Sequence, residues 1–208
     1  ILIERPAIRF TTLKIMKHLI AAFLIFTSTA IACAQSSDSA LRRTIASDAA
    51  NRASNGDLAE LTAAEHLSRA ETYMANRMFP QAREHWSVVL KHFPDHPGVT
   101  KALFGTARSY MWEREYLKAV EWFDRLTRDH PGTKDGREGL AYKGASYVRA
   151  GKNLEAAETY EQYTVMYPDG EKIESAYLNI IDAYREAGVY DKANDWVDRT
   201  VRRFAGKA

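Results

Sequence analysis

Apolar residues recur three or four positions apart over most of the chain, which is the spacing that gathers side chains on one face of an α-helix. The stretch from Leu103 to Pro131 contains two such segments separated by a few polar residues. Their apolar positions are Leu103, Ala107 and Tyr110 in the first segment, and Ala119, Phe123 and Leu126 in the second. This pattern predicts two antiparallel helices joined by a short turn.

The same layout recurs on both sides of this stretch, because Pro94, Pro131 and Pro168 follow one another at intervals of 37 residues. Ahead of each proline stand a tyrosine, an alanine and a large aromatic residue at constant offsets: Tyr73, Tyr110 and Tyr147; Ala82, Ala119 and Ala156; Trp86, Phe123 and Tyr160. The small residue allows two helices to approach, and the aromatic ring fills the space beside it. Such a period predicts a solenoid, in which each unit buries its apolar face against the next.

The two ends of this array are less regular. A helix is expected from Ala40 to Ser54, closed by the Asn55-Gly56 turn signal, and Asp57 and Glu60 have the spacing of a capping box for the first repeat helix. A fourth unit begins near Glu171, and its last helix is not followed by a polar capping helix. We therefore expect further chain or a partner to cover the last helix.

The repeated unit resembles the tetratricopeptide repeat, whose pattern places an aromatic residue or leucine, a small residue, tyrosine, alanine, phenylalanine and proline at fixed offsets. The family period of about 34 residues is slightly shorter than the one found here. The resemblance covers roughly residues 57–204 and assigns residues 57–208 to a solenoid. It implies an all-α fold, a right-handed superhelix of about four helix-turn-helix repeats. It also implies a concave groove lined by the first helix of each repeat, and no catalytic residue.

The family's groove positions can be transferred onto this sequence. The predicted partner-binding residues are Leu67, Met74, Lys101, Phe104, Arg108, Met111, Trp112, Arg149 and Arg185, and Ala141 and Ala145 occupy the same positions in the third repeat. Apolar side chains flanked by arginine suit an extended peptide or a guest helix. The alternative is that Phe104, Met111 and Trp112 pack against the neighbouring helix of the chain itself.

Composition narrows the choice of partner. The chain has 29 basic and 27 acidic residues, for a net charge of +2. A positive electrostatic potential strong enough to attract nucleic acid is therefore not expected. The single cysteine, Cys33, excludes an internal disulfide and a cysteine cluster for zinc. His92 and His96 are four residues apart, but Pro94 and Pro97 exclude the helix that a metal site with this spacing needs, so no metal is predicted. No cofactor is predicted either.

The amino terminus predicts export. Residues 1–15 form an upstream extension that we do not expect in the mature protein, and residues 16–34 have the cationic start, short apolar core and small residues of a signal peptide. The apolar stretch is shorter than the roughly twenty residues that a membrane-spanning helix needs. Residues 35–56 are then a linker and a leading helix.

Two cleavage sites fit this leader. Ala32-Cys33-Ala34 before Gln35 suits ordinary signal peptidase, whereas the segment ending in Cys33 resembles a bacterial lipobox, in which case Cys33 is lipidated. The predicted location is the periplasm, with the protein either soluble or tethered to the outer membrane by its lipid.

The preferred hypothesis is a non-enzymatic periplasmic scaffold that binds another envelope protein or peptide in its groove, similar to outer-membrane assembly and cell-division proteins built from these repeats. The alternative is the amino-terminal superhelical part of a soluble lytic murein transglycosylase, which would reach peptidoglycan through a catalytic domain missing from this chain. Those enzymes carry a Glu-Ser pair followed by a Gly-Leu-Met-Gln segment. Glu174-Ser175 resembles the pair, but the segment after it differs.

Overall fold

The computed structural model describes residues 39–206. The chain divides into two compact units, and the boundary along the sequence falls between Asp57 and Leu58. In the first unit, helix α1 covers residues 39–50, and turns at residues 51–56 follow it. The helix ends earlier than the predicted Ser54. The extension at 1–15, the leader at 16–34 and Cys33 lie outside the described residues.

The second unit is a row of helical hairpins. Its helices are α2 (Ala63–Ala75), α3 (Phe79–His92), α4 (Val99–Trp112), α5 (Tyr116–Asp129), α6 (Lys134–Arg149), α7 (Asn153–Met166), α8 (Ile173–Glu186) and α9 (Tyr190–Phe204). Each even-numbered helix packs on the odd-numbered helix that follows it, and each hairpin packs on the next. The predicted all-α solenoid of about four repeats is confirmed.

The first repeat helix begins later than predicted. Its N-cap is Thr62, whose hydroxyl accepts from the backbone N–H of Glu65, while the Glu65 carboxylate accepts from the backbone N–H of Thr62 at 2.9 Å. Asp57 instead accepts a side-chain hydrogen bond from Asn55 at 2.6 Å within a turn. The capping box predicted at Asp57 and Glu60 is therefore wrong, because Thr62 and Glu65 have the same spacing and stand directly before the helix.

The repeat register confirms the proposed contact between paired helices. Ala82, Ala119 and Ala156 are completely buried. Within the third hairpin, the α6 backbone lies against the Tyr160 ring of α7 at Gly144, so this glycine has no room for a Cβ atom. At Gly105 the α4 backbone lies equally close to the Trp86 ring of the preceding hairpin, so a small residue also allows close approach between hairpins.

All four hairpin turns have the same backbone conformation, although they do not share a residue type that would predict it from the sequence. The turn residue has a positive φ in all four repeats, at Arg77, Arg114, Gly151 and Gly188. The N–H of the next residue donates to the carbonyl of the repeat tyrosine, as from Met78 to Tyr73 at 2.9 Å. Glycine tolerates this conformation and arginine does so at a cost, so the turn leaves no constant residue in the sequence.

A half-buried carboxylate joins the last three helices. Glu161 Oε1 on α7 accepts from the Tyr184 hydroxyl of α8 at 2.8 Å and from Trp196 Nε1 of α9 at 2.7 Å. Burial, together with this hydrogen bond to Glu161, raises the pKa of Tyr184, so its hydroxyl stays protonated and keeps donating. The contact ties the fourth repeat to the third.

No helix within residues 39–206 combines the length and the apolar character that crossing a bilayer requires.

Candidate protein-binding groove

A continuous row of aromatic and basic side chains crosses the first helices of three successive repeats. The Arg108 guanidinium lies 5.8 Å from the centre of the Phe104 ring on α4. Phe104 meets Tyr142 of α6 edge-on at 5.3 Å, and Lys172, the residue before α8, lies 6.0 Å from the Tyr142 ring. We call the surface formed by this row on α4, α6 and α8 the groove.

A cavity opens into the groove between α6 and α8. Its volume is about 190 Å³, and its lining consists of Ala141, Tyr142, Ala145, Tyr160, Lys172, Ser175, Ala176 and Asn179. A cavity of about 150 Å³ is large enough for a benzene ring. The space therefore suits one branched or aromatic side chain of a partner.

The cavity exists because the third repeat carries small residues where the second carries large ones. Ala141 and Ala145 stand one period after Phe104 and Arg108. Tyr160 forms part of the wall, and burial raises its pKa to about 12. The Tyr160 hydroxyl therefore stays protonated even in alkaline solution, and among the lining residues Lys172 supplies a positive charge.

The structure separates the predicted groove residues of the second repeat. Met111 is buried with Ala107, Ala119 and Phe123 in the core between α4 and α5, so the prediction that it lines an open groove is wrong. The neighbouring Trp112 is 55% exposed. Phe104 is half-buried and both packs on Phe123 and faces Tyr142, so it belongs to the core and to the groove.

The remaining predicted residues are spread along the repeats. Lys101, Arg149 and Arg185 are exposed, and Arg185 forms an ion pair with Asp182 on its own helix at 3.7 Å. Leu67 and Met74 on α2 are half-buried, and Leu67 packs against the backbone of Gly98 at the start of the second repeat. The structure brings neither of them into the row defined above, and their part in binding stays a prediction.

Four residues near the groove were not among the predictions. Tyr142, Lys172 and Asn179 lie at positions outside the family's groove pattern, yet they line the cavity. Arg77 comes from the α2–α3 turn and lies 5.7 Å from the centre of the exposed Trp112 ring. The positive φ that brings Arg77 to Trp112 has no sequence signal, because arginine is uncommon in that conformation.

Metal binding and glycosidase chemistry can each be compared with the residues that the structure describes. Histidine, cysteine, aspartate and glutamate side chains there form no group of three or more that could hold a metal. Glu174 is exposed in the first turn of α8, where a carboxylate suits the helix dipole. An exposed carboxylate of this kind lacks the enclosed cleft in which the acid of a glycosidase acts.

Comparison with known proteins supports the repeat assignment. A family model described as tetratricopeptide repeat matches residues 67–133 and 143–208, more than half of the chain. None of the curated proteins matches the sequence.

Similar folds occur among solved structures. One titled as the MamA protein is 20% identical over 70% of this chain and 75% of its own, with a TM-score of 0.56. Another, titled MamA AMB-1, is 14% identical over 83% and 85%, with a TM-score of 0.59. A putative kinesin light chain with nearly identical TPR-like repeats, from Podospora anserina, is 18% identical over 70% and 75%, with a TM-score of 0.56. At these identities the likeness concerns the fold, and with the family match it shows that the chain belongs to the tetratricopeptide repeat family.

Proposed function

We propose that this protein is a non-enzymatic scaffold that binds an extended segment of a partner protein in the groove on α4, α6 and α8. The observation that carries the proposal is the cavity of about 190 Å³ beside a continuous row of aromatic and basic side chains. Protein binding is the common task of tetratricopeptide repeats. The fold alone does not identify the partner, whereas the residues of this site determine which side chains it can bind.

The groove offers the three features that peptide recognition needs. The cavity receives one apolar side chain, Asn179 and Ser175 offer hydrogen bonds to a peptide backbone, and Lys172 supplies direction through its charge. Trp112 and Arg77 lie beside each other as an exposed aromatic and basic pair. Tryptophan and arginine are the residue types most enriched among those that dominate protein interfaces.

Filling the cavity tests this function. Ala145→Leu adds three carbons at the cavity wall and is expected to weaken partner binding at least tenfold, because the guest side chain loses its site. Ala145 is half-buried and borders open space, so we expect the melting temperature to stay within a few degrees of the wild type. Affinity capture from envelope extracts identifies partners, and titration of one purified partner then measures the change.

Matched variants separate binding from folding. Val165→Ala, at a side chain 79% exposed on α7 and away from the groove, should leave both affinity and stability unchanged. Arg108→Ala together with Trp112→Ala should weaken binding of the same partner. If a partner binds Ala145→Leu as tightly as the wild type, the cavity is not its site.

We also propose that the protein acts in the bacterial periplasm, either soluble or held at the outer membrane by a lipid on Cys33. The support is the leader at residues 16–34 in the sequence. Expressed from Met16 in a bacterial host, the protein should lose its leader. If the lipobox interpretation is correct, Cys33→Ser moves the protein from the membrane fraction to the soluble fraction, because the lipid anchor has no attachment site.

Fractionation together with the mass of the mature protein decides between the two cleavage sites. A mature protein that begins at Gln35 and is soluble with or without Cys33→Ser would contradict lipidation and support ordinary signal peptidase. A protein that keeps its leader in the cytoplasm would contradict the location. Neither outcome bears on the groove, which is tested with purified protein.

A further inference from the structure

The last helix carries a mostly apolar stripe, three of whose four residues are tyrosine or valine, that nothing in the described part of the chain covers. Tyr190, Asn194, Val197 and Val201 follow one another at helical spacing along α9, and all four are exposed. The exposed fractions of Tyr190, Val197 and Val201 are 65%, 41% and 61%. We call this stripe the terminal face.

In the three earlier repeats, the surface equivalent to the terminal face is covered by the next repeat. The equivalent residues lie 37, 74 and 111 positions earlier in the sequence, and all of their side chains are buried or half-buried. The equivalents of Val197 are Tyr160, Phe123 and Trp86, which are 4%, 0% and 3% exposed. The first helix of the next repeat packs on each earlier repeat, and it contacts these equivalent residues: Trp86 lies against Gly105 of α4, and Phe123 packs on Tyr142 of α6. No such helix follows α9 within residues 39–206.

The helices α4, α6 and α8 cover the equivalent faces of the first three repeats, and they share a pattern of small residues. Each carries small residues seven positions apart toward the preceding repeat: Ala102 and Ser109 on α4, Gly139 and Ser146 on α6, Ala176 and Ala183 on α8. All six are buried. Ser109 accepts a hydrogen bond from Arg83 of α3 at 2.9 Å, and Gly139 lies against Leu126 and Thr127 of α5, which places this side of the helix at the junction.

The first helix of the solenoid does not have this pattern. At the two equivalent positions α2 carries Glu65 and Thr72, and neither is buried. A large charged side chain at the first of these positions would prevent the close approach that Ala102, Gly139 and Ala176 allow. Head-to-tail stacking of a second copy through α2 is therefore disfavoured.

We propose that the terminal face binds a helix of a partner protein that stacks on α9 as the first helix of a fifth repeat. The chemistry of this helix follows from the internal junctions: it is amphipathic, and it places glycine, alanine or serine at two positions seven apart. This site is separate from the groove and does not depend on the proposed function.

Two peptides with sequences from this chain test the proposal. The α8 peptide has the two small residues seven positions apart, and the α2 peptide, which lacks them, is the matched control. A labelled peptide spanning α8, which has Ala176 and Ala183, should bind the purified protein in a fluorescence anisotropy titration. A peptide spanning α2 should bind at least tenfold more weakly, as should the α8 peptide carrying Ala183→Leu, because a larger side chain separates the helices.

Variants of the protein locate the site. Val201→Asp, at an exposed position that the fold does not need, should weaken binding of the α8 peptide at least tenfold, whereas Val165→Asp on α7 should not change it. Equal binding of the α8 and α2 peptides, or equal loss with both variants, would overturn the proposal.

The other occupants of this face are outcomes of the same experiment. If the α8 peptide does not bind and light scattering shows a dimer that Val201→Asp dissociates, a second copy covers the face and the proposal is wrong. If the peptide does not bind a monomer, the proposal is equally wrong, since the face then either is covered by the chain's own residues or has no affinity for such a helix.

Discussion

Phe123→Ala is expected to lower the free energy of unfolding by about 3–5 kcal/mol, since deleting a buried aromatic ring removes its apolar contacts and leaves a cavity. Phe123 is completely buried on α5. Its ring packs on Phe104 of α4 at 5.7 Å and on Tyr142 of α6 at 5.8 Å, so it joins the second repeat to the third. For a domain of this size the melting temperature should fall by about 10 °C.

Leu117→Ala is the matched control, because this leucine lies on the same helix and is 52% exposed. Its effect should stay within about 0.5 kcal/mol. Chemical denaturation of the two variants measures the difference. If they were equally stable, the second and third repeats would not share the core described here. Phe104 and Tyr142 also belong to the groove, so Phe123→Ala should weaken partner binding as well.

Glu161→Ala is expected to cost about 2–4 kcal/mol, because it leaves two buried donors, Tyr184 and Trp196, without their acceptor, and each unsatisfied donor costs about 1–3 kcal/mol. The loss should appear first in the fourth repeat, since Glu161 joins α7 to α8 and α9. Hydrogen exchange should therefore become faster in α8 and α9 before it changes in α4 and α5.

Two further variants test whether the loss of the Glu161 acceptor oxygen causes the destabilisation. Glu161→Gln keeps an acceptor oxygen and the size of the side chain, so it should cost less than Glu161→Ala. Glu158→Ala, at an exposed position on the same helix, should have little effect. If Glu161→Ala changed exchange equally in all repeats, the contact would support the whole solenoid rather than its end.

The sequence by itself determined the helices, their pairing and their register. The constant offsets of Ala119 and Phe123 from Pro131 identify one face of a helix and the point where it ends, and these offsets recur without change. Local spacing is sufficient here, because helical geometry fixes which residues of one segment share a face. The confirmed burial of Ala82, Ala119 and Ala156 depends on nothing more.

Only the tertiary structure decided which residues of those faces are open. Met111 and Trp112 are adjacent in the sequence and were both predicted in the groove, yet Met111 is buried and Trp112 is exposed. The difference depends on α5, which packs over one side of α4 and leaves the other uncovered. Spacing within α4 carries no information about the position and width of that covering helix.

The cavity and the terminal face have the same origin. The cavity results from the volumes of Ala141 and Ala145 on α6 together with residues of α7 and α8, and no short segment shows that these surfaces fail to meet. Val197 occupies the same register position as the buried Phe123, and only the absence of a stacked helix within residues 39–206 leaves it exposed. Periodicity predicts which side chains lie on the face that packs against another helix. Whether another helix covers that face depends on contacts between residues far apart in the sequence.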